Sequence, residues 1–232
     1  MGHWRVKKIQ YIQSLLEVGF DTIDFGSFVS PKAIPQLADT KEVLQSLDLS
    51  KTKSKLLAII ANRRGAEEAV QFDEISYLGF PFSISETFQQ LNTNSSIAES
   101  LRSIEEIQGL CMQHNKQLVT YISMGFGNPY GDLYNSDIAI EWVNKLAVLG
   151  IQLFAMSDTV GVSNPTNIQS IFSHLVEAFP TIEFGAHFHS TPDTVQEKLT
   201  AALAANCFRF DSAMNGIGGC PMAQNELVGN IP

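Results

Sequence analysis

The sequence is poor in the features that mark several large classes of protein. Cysteine occurs only three times in 232 residues, at Cys111, Cys207 and Cys220, and no two cysteines form a Cys-x-x-Cys pair. This pattern argues against a disulfide scaffold or a zinc–thiolate site and favours a reducing compartment. No apolar run reaches the roughly 18 residues of a membrane-spanning helix, and the polar, basic start lacks the pattern of a signal peptide. We therefore expect a cytoplasmic protein with no membrane partner.

Positive charge is also scarce. The chain carries 15 Lys and Arg residues against 24 Asp and Glu residues, which gives a formal net charge of −9. An acidic surface repels the phosphates of nucleic acid, so no nucleic-acid partner is expected. Hydrophobic residues make up 44% of the chain and charged residues 17%, which is usual for a globular protein. The length suits one domain over residues 1–232 with a sizeable core.

Apolar, β-rich runs alternate with helical patterns along the chain. Strands are expected at Thr22–Phe28, Lys55–Ala61, Ile75–Phe82, Leu118–Ser123, Gln152–Ser157, Glu183–His189 and Cys207–Ala213. A repeated strand-then-helix order indicates parallel strands with right-handed crossovers. Two architectures fit this order, an eight-stranded barrel and an open doubly wound sheet. No Gly-x-Gly-x-x-Gly follows a strand, which disfavours the dinucleotide-binding version of the open sheet.

The helical patterns complete the expected fold. They cover Lys7–Val18, Pro35–Ser46, Gly65–Gln71, Ser96–His114, Asp137–Leu149, Asn164–Ala178 and Pro192–Ala205. Two carry a polar pair typical of a helix start, Ser96 with Glu99 and Asp193 with Gln196. An eight-stranded barrel opens on a strand, whereas this pattern opens on a helix and contains seven strands. The expected fold is α/β, a TIM (β/α)8-type barrel that lacks the first strand and the last helix.

A pair of histidines ends one of the expected strands. His187 and His189 are two residues apart, so their side chains should point to the same face of the strand. In a β/α barrel the functional site lies at the carboxyl ends of the strands. Two imidazoles at such an end favour a divalent-metal half-site. The alternative is two polar residues that are hydrogen-bonded and have no further role.

A glycine-rich segment with a thiol follows the last expected strand. Gly216-Ile217-Gly218-Gly219-Cys220-Pro221 has three glycines in four positions, which indicates a mobile or tightly turned loop. A loop that presents Cys220 over a barrel mouth would be a lid with an acid–base group. A glycine turn beside an inert, buried cysteine explains the same residues.

Other polar side chains also stand at expected strand ends. Asp24 and Ser27 end the first strand, Asn62 follows the second, and Asp158 ends the Gln152–Ser157 strand. Side chains at several strand ends would surround one cavity. For each residue alone a helix cap is an equal alternative, because Asp, Asn and Ser commonly open the loops between strands and helices.

These motifs together resemble the hydroxymethylglutaryl-CoA lyase family of metal-dependent carbon–carbon lyases. The resemblance covers nearly the whole chain. It rests on Ser27-Phe28-Val29-Ser30-Pro31-Lys32, Ser85-Glu86-Thr87-Phe88, Asp158-Thr159-Val160-Gly161, His187-Phe188-His189 and Gly216–Pro221, in the family's order. The first and last of these are specific to the lyases, whereas the His-x-His motif is shared with related acyl-CoA synthases.

The resemblance implies roles for individual residues. It assigns His187, His189 and Asn230 to a Mg²⁺ or Mn²⁺ ion and Cys220 to catalysis. Asp24 stands where the lyases commonly have a catalytic Glu, and Asp158 matches an active-site Asp. Ser27 and Asn62 would contact the substrate. The implied reaction cleaves 3-hydroxy-3-methylglutaryl-CoA, an acyl-CoA, to acetoacetate and acetyl-CoA, and a homodimer is compatible with the family.

The sequence also departs from the family. The Arg-Asp pair that ends the family's first strand, and supplies one metal ligand, has no counterpart here. Two alternatives to the lyase therefore remain open, a related synthase of the isopropylmalate or homocitrate type and a barrel remnant without catalytic activity. For the chain as given, the loss of the one anionic ligand predicts weak Mg²⁺ binding and little or no lyase activity.

Overall fold

The computed structural model describes residues 3–220 and 228–232, and Pro221 of the glycine–cysteine motif lies outside them. The strands are β1 (Thr22–Ser27), β2 (Lys55–Ile59), β3 (Ile75–Ser83), β4 (Gln117–Ser123), β5 (Leu153–Asp158), β6 (Glu183–Ser190), β7 (Arg209–Phe210) and β8 (Gly229–Asn230). The helices are α1 (His3–Val18), α2 (Thr40–Leu44), α3 (Arg63–Ala69), α4 (Glu86–Thr93), α5 (Ile97–Gln113), α6 (Ser136–Ala147), α7 (Pro165–Ala178) and α8 (Val195–Ala204). Strand-then-helix alternation is therefore confirmed.

The chain divides into two compact units. The first contains Met1–Phe80 and Ser103–Leu118. Here β1 pairs with β2 and β2 with β3, all in parallel. Helix α1 buries Ile12 and Leu16, which lie four residues apart and so on one helical face. This spacing explains why the segment forms a helix that covers the strands rather than a strand of its own.

The second unit contains Pro81–Arg102 and Val119–Pro232. Its parallel ladder runs from β4 through β5 and β6 to β7, and β8 pairs antiparallel with β6. Five of the six residues of β5 are buried, as expected for a parallel strand that is covered on both faces. In the described residues, no helix is both long enough and apolar enough to cross a lipid bilayer.

Phenylalanines on β6 determine which way its histidines point. Phe188 packs against Phe172 of α7, with ring centroids 6.4 Å apart, and against Phe126 at 5.6 Å. Successive strand side chains point to opposite faces. Because Phe188 faces the helical layer, His187 and His189 on either side of it must face the other way.

Two expected elements are shorter in the structure. The Pro35–Ser46 helix is split into a 3-10 turn at Pro35–Leu37 and α2, because Asp39 between them forms ion pairs with Arg5 and Lys8 and the Thr40 hydroxyl donates to Leu37 O. The Cys207–Ala213 strand is reduced to β7. After Asp211 N donates to Ala186 O, the chain turns away, and Ala213 N donates to Ile231 O instead.

Of the two polar pairs predicted to start helices, one is confirmed and one is wrong. The reciprocal pair at Ser96 and Glu99 is confirmed, because each backbone N–H donates to the other's side chain. The prediction for Asp193 and Gln196 is wrong, since α8 begins after Thr194, in a turn held by its hydrogen bonds to Thr191. Helix α4 was not predicted, and Ser85 caps it by accepting a hydrogen bond from Phe88 N.

Candidate functional site

The two histidines of β6 lie side by side at its carboxyl end. Their ring centroids are 5.4 Å apart, and Tyr121 of β4 meets the His187 ring edge-on at 5.4 Å. His187 is level with Ser157 of β5 in the parallel ladder, so the pair lies where β5 also ends. The i, i+2 spacing thus brings both imidazoles to one face, as predicted from the sequence.

Each ring is held through its Nδ1 atom. His189 Nδ1 lies 2.7 Å from Thr159 O, and His187 Nδ1 lies 3.1 Å from Asp211 Oδ2. A carbonyl oxygen can only accept, so His189 Nδ1 carries the proton, and the Asp211 carboxylate likewise accepts from His187 Nδ1. Both rings therefore direct Nε2 away from these partners, which is the orientation that a metal ligand requires.

The surroundings of His189 favour its neutral form. Burial lowers the pKa of His189 below its ordinary 6.5, and the nearby His187 lowers it further. Hydrogen bonds with Thr159 and Asn230 oppose this shift, as does the charge of Asp158. His189 is therefore uncharged at neutral pH and can offer a lone pair to a cation.

Asn230 joins the pair through a strand that was not predicted. β8 places Asn230 opposite His189, and the Asn230 side chain hydrogen-bonds with His189. The Asn230 amide nitrogen donates to Ile217 O at 2.9 Å, which fixes the orientation of the side chain. Two imidazole nitrogens and an amide oxygen suit part of a divalent-cation site. In residues 3–220 and 228–232, no group of three His, Cys, Asp or Glu side chains could hold a metal.

Residues 216–220, here called the glycine loop, pack against Asn230. Gly218 has a φ of +95°, and a Cβ there would lie 2.8 Å from Asn230 Nδ2. Asn230 N also donates to Gly218 O. The loop is therefore tightly turned, and its glycines are needed for close approach as well as for backbone conformation.

Cys220 follows as a free, partly exposed thiol. Partial burial raises the pKa of Tyr130, with further contributions from Cys220 and Asp132.

Asp158 is held differently from the other predicted site residues. Its side chain has no exposed surface and forms a 2.6 Å ion pair with Lys198. Its oxygens also accept from Val162 N, Ser163 N and the Ser163 hydroxyl. A catalytic role for Asp158 stays a prediction, and these contacts favour support of the site over contact with a substrate.

The remaining predicted residues lie in the first unit. Asn62 caps α3 by accepting from Gly65 N at 3.0 Å, and Ser27 Oγ accepts from Val29 N at 3.1 Å. The Asn62 contact is the helix cap that was the alternative to substrate binding, whereas the Ser27 contact is a local turn that caps no helix. Asp24 is exposed on β1. Roles for these three in substrate binding or catalysis stay predictions.

Three supporting residues were not predicted, although the sequence around two of them contains a pattern that could have indicated their role. Asp211 lies in a predicted strand, and carboxylates at strand ends were already of interest. Lys198 shares a face of α8 with Ala201 and Ala202, and a lysine within an apolar stripe is unusual. Thr159 acts through its backbone carbonyl, for which a sequence offers no signal.

Comparison with known proteins identifies relatives of this chain. A family model described as HMGL-like matches residues 5–232. A hydroxymethylglutaryl-CoA lyase of Bacillus subtilis (strain 168) is 33% identical over 93% of this chain and 72% of its own length. A 3-hydroxy-3-isohexenylglutaryl-CoA/hydroxymethylglutaryl-CoA lyase of Pseudomonas aeruginosa is 31% identical over 97% of this chain and 74% of its own.

Solved structures extend the similarity to the fold. The Bacillus subtilis HMG-CoA lyase structure superposes with a TM-score of 0.90 and 31% identity, over 98% of this chain and 75% of that one. An HMG-CoA lyase of Acinetobacter baumannii in complex with coenzyme A and 3-methylmalate gives 0.88 and 32%, over 98% and 73%. The predicted barrel class and the predicted family resemblance are both confirmed. The chain belongs to the HMGL-like family.

Proposed function

We propose that the protein cleaves 3-hydroxy-3-methylglutaryl-CoA to acetoacetate and acetyl-CoA. The observation that carries this proposal is the pair of contacts made by Nδ1 of His187 and of His189, which leave Nε2 of each ring directed elsewhere. Relatives that are named as lyases of this substrate are 31–33% identical to the chain. The lyase structure with bound coenzyme A supports an acyl-CoA substrate.

A divalent cation, Mg²⁺ or Mn²⁺, would be held by His187, His189 and Asn230. Such a cation polarises substrate oxygens and lowers the pKa of a bound hydroxyl. What supports this ligand set is the chemistry of the donors. The two rings lie side by side, the pKa of His189 is lowered by burial, and Asn230 is oriented by its hydrogen bond to Ile217 O. Imidazole ligands favour Mn²⁺ over Mg²⁺, which prefers oxygen.

The other residues would handle protons and position the substrate. Removal of the 3-hydroxyl proton starts the cleavage, and Asp24 is the proposed base because it stands where the lyases commonly have a Glu. As the carbon–carbon bond breaks, its electron pair passes to the departing acetyl thioester as an enolate. Cys220 Sγ would donate the proton that converts this enolate to acetyl-CoA. Ser27 and Asn62 are proposed to contact the substrate.

Product release tests this proposal. The purified chain is treated with EDTA, supplied with 3-hydroxy-3-methylglutaryl-CoA, and assayed for acetoacetate and acetyl-CoA with and without added Mn²⁺. We expect equimolar products that depend on Mn²⁺ and form slowly, because no Arg-Asp pair supplies an anionic ligand. Turnover should be lost in His189→Ala, and it should be slower still in Cys220→Ala, with Mn²⁺ binding as in wild type. His174→Ala, on the exposed face of α7, is the matched control. Metal-independent release, or full activity of His189→Ala, would contradict the proposal.

We also propose a reducing cytoplasmic location. Cys111, Cys207 and Cys220 are all described and all are free thiols. Burial raises the pKa of Cys111 and of Cys207 to about 12, so neither would be a reactive thiolate at neutral pH. Relatives carry names for both mitochondrial and cytoplasmic enzymes. Fractionation of cells that express the tagged full chain tests the location.

A further inference from the structure

A fully buried ion pair lies directly behind the histidine pair. The Lys198 side chain is 1% exposed and that of Asp158 is 0% exposed, and their charged atoms are 2.6 Å apart. Burying two charges is costly unless both are completely paired. If the pair only filled the core, an apolar residue at position 198 that packs with Ala201 and Ala202 would serve as well as Lys198. We therefore expect the pair to have a role beyond filling the core.

The hydrogen bonds of Lys198 lead to the candidate site. Besides Asp158, Lys198 Nζ donates to His189 O at 3.0 Å and to Gly161 O at 3.3 Å. One ammonium group thus connects the end of β5, the loop after β5 and the end of β6. All three N–H donors of Lys198 have a partner, so the group can adopt a single position.

Asp158 fixes the other side of the same arrangement. Its four hydrogen bonds hold the loop after β5, at Val162 and Ser163, and orient Lys198. The next residue, Thr159, supplies the carbonyl that accepts from His189 Nδ1 at 2.7 Å. His189 is therefore held twice, at its backbone carbonyl by Lys198 and at its ring by the residue that follows Asp158.

We propose that Lys198 and Asp158 are positioning residues, which lock His189 in the Nδ1-protonated tautomer and aim its Nε2 at the cation site. This role rests on the proposed function, because it treats His189 as a cation ligand. Neither residue would touch the substrate. The pair would act by keeping Thr159 O and the His189 backbone at a fixed separation, so that the ring has one orientation before a cation arrives.

The test compares a single with a double substitution. Lys198→Met leaves the Asp158 charge buried without its partner, and this single change is expected to destabilise the fold. Lys198→Met with Asp158→Asn buries no net charge. The asparagine introduced by the second change still offers an oxygen to the N–H groups of Val162 and Ser163, so the double variant is expected to fold. Lys145→Met, at an exposed position of α6, is the matched control for loss of a lysine.

The first measurement is the imidazole ¹⁵N spectrum of protein labelled at histidine, at a fixed pH of about 8 without metal, where unperturbed imidazoles are neutral. The His189 signals are assigned from the spectrum of His189→Ala. We expect wild type and Lys145→Met to show one protonated Nδ1 and one unprotonated Nε2. In the double variant we expect signals averaged between the two tautomers. This readout needs neither cation nor substrate, so it separates failure of the present proposal from failure of the lyase assignment.

The second measurement is the affinity for Mn²⁺. We expect the dissociation constant of the double variant to rise at least about tenfold, as is typical when the residues that orient a metal ligand are lost. Circular dichroism of the same samples should match wild type. A folded double variant with the wild-type tautomer and Mn²⁺ affinity would overturn the proposal. A double variant that does not fold would also overturn it, because the pair would then maintain the fold rather than the imidazole.

Discussion

At the scale of single residues, the partners of the histidines matter as much as the histidines. Asp211 accepts from His187 Nδ1 and Thr159 O accepts from His189 Nδ1. Each contact excludes the tautomer that would point a proton at the site. One carboxylate and one backbone carbonyl thus orient the two rings, as the proposed cation site requires.

Substitution of Asp211 should weaken cation binding without loss of the fold. In Asp211→Ala, His187 Nδ1 loses its acceptor, and the ring is free to rotate or to change tautomer. We expect the dissociation constant for Mn²⁺ to rise roughly 10- to 100-fold, the usual effect of removing such a partner. Isothermal titration calorimetry measures this change, with Asp193→Ala as a control for an exposed carboxylate. Equal affinities of the two variants would show that Asp211 does not orient His187.

The sequence reveals these residues unequally. The His187 and His189 pair is visible because a strand alternates its faces, and that rule holds for any strand. Asp158 was expected from its place at a strand end, but its burial with Lys198 depends on how α8 packs on β6. Thr159 contributes a carbonyl that every residue possesses. Side-chain chemistry could be predicted at the residue scale, whereas the supporting contacts required the packed structure.

At the scale of elements, the glycine loop and β8 form one support for Asn230. Gly218 and the control position Gly131 both have positive φ, +95° and +80°. A Cβ at Gly218 would collide with Asn230 Nδ2 at 2.8 Å, whereas at Gly131 nothing lies within 4 Å among the described residues. The two positions therefore share backbone strain and differ in contact.

Alanine at these two glycines separates strain from contact. Both variants should lose about 1 kcal/mol of unfolding free energy, because a non-glycine residue is strained at positive φ. Only Gly218→Ala should also weaken Mn²⁺ binding, since it displaces Asn230. Urea unfolding and Mn²⁺ titration of both variants check these outcomes. Normal Mn²⁺ affinity of Gly218→Ala would mean that Asn230 is not a ligand.

A carboxylate also fixes the start of α4. Asp132 accepts from the Ser85 hydroxyl at 2.6 Å and from the Thr87 hydroxyl and N–H at 2.8 and 3.0 Å. The hydrogen bond from Ser85 is the largest of the contributions that hold the pKa of Asp132 below its ordinary 3.8. Because the folded pKa is the lower one, this stabilisation is present above pH 3.8 and is lost as the pH falls through the folded value.

Replacement of Asp132 should therefore have a pH-dependent effect on stability. At pH 7 we expect Asp132→Asn to lose about 1 kcal/mol of unfolding free energy, as for loss of a helix-capping contact. Below pH 3.8 the difference from wild type should shrink, and it should be lost as the pH falls through the lowered pKa of folded Asp132. Urea unfolding between pH 7 and pH 3 measures the difference, with Asp193→Asn as control. A difference that does not change with pH would refute the assignment.

At the scale of the whole molecule, the order of β1 to β7 could be predicted from the sequence, whereas β8 could not. Alternation of apolar runs with helical patterns indicated parallel strands, and β1 to β7 follow that order. β8 has only two residues and exists because the glycine loop brings Asn230 against His189. Such a strand has no periodic signal of its own. The third proposed ligand was named from family resemblance, and its placement beside His189 is a result of tertiary packing.

Binding of Mn²⁺ to purified protein tests the central claim most directly, namely that His187, His189 and Asn230 form a cation site. Electron paramagnetic resonance of free Mn²⁺ gives the number of sites and the affinity in one titration. We predict one site per chain, weaker competition by Mg²⁺, and a dissociation constant at least about 100-fold higher in His189→Ala, whereas His174→Ala binds as wild type. Equal Mn²⁺ binding by wild type and His189→Ala would contradict the account.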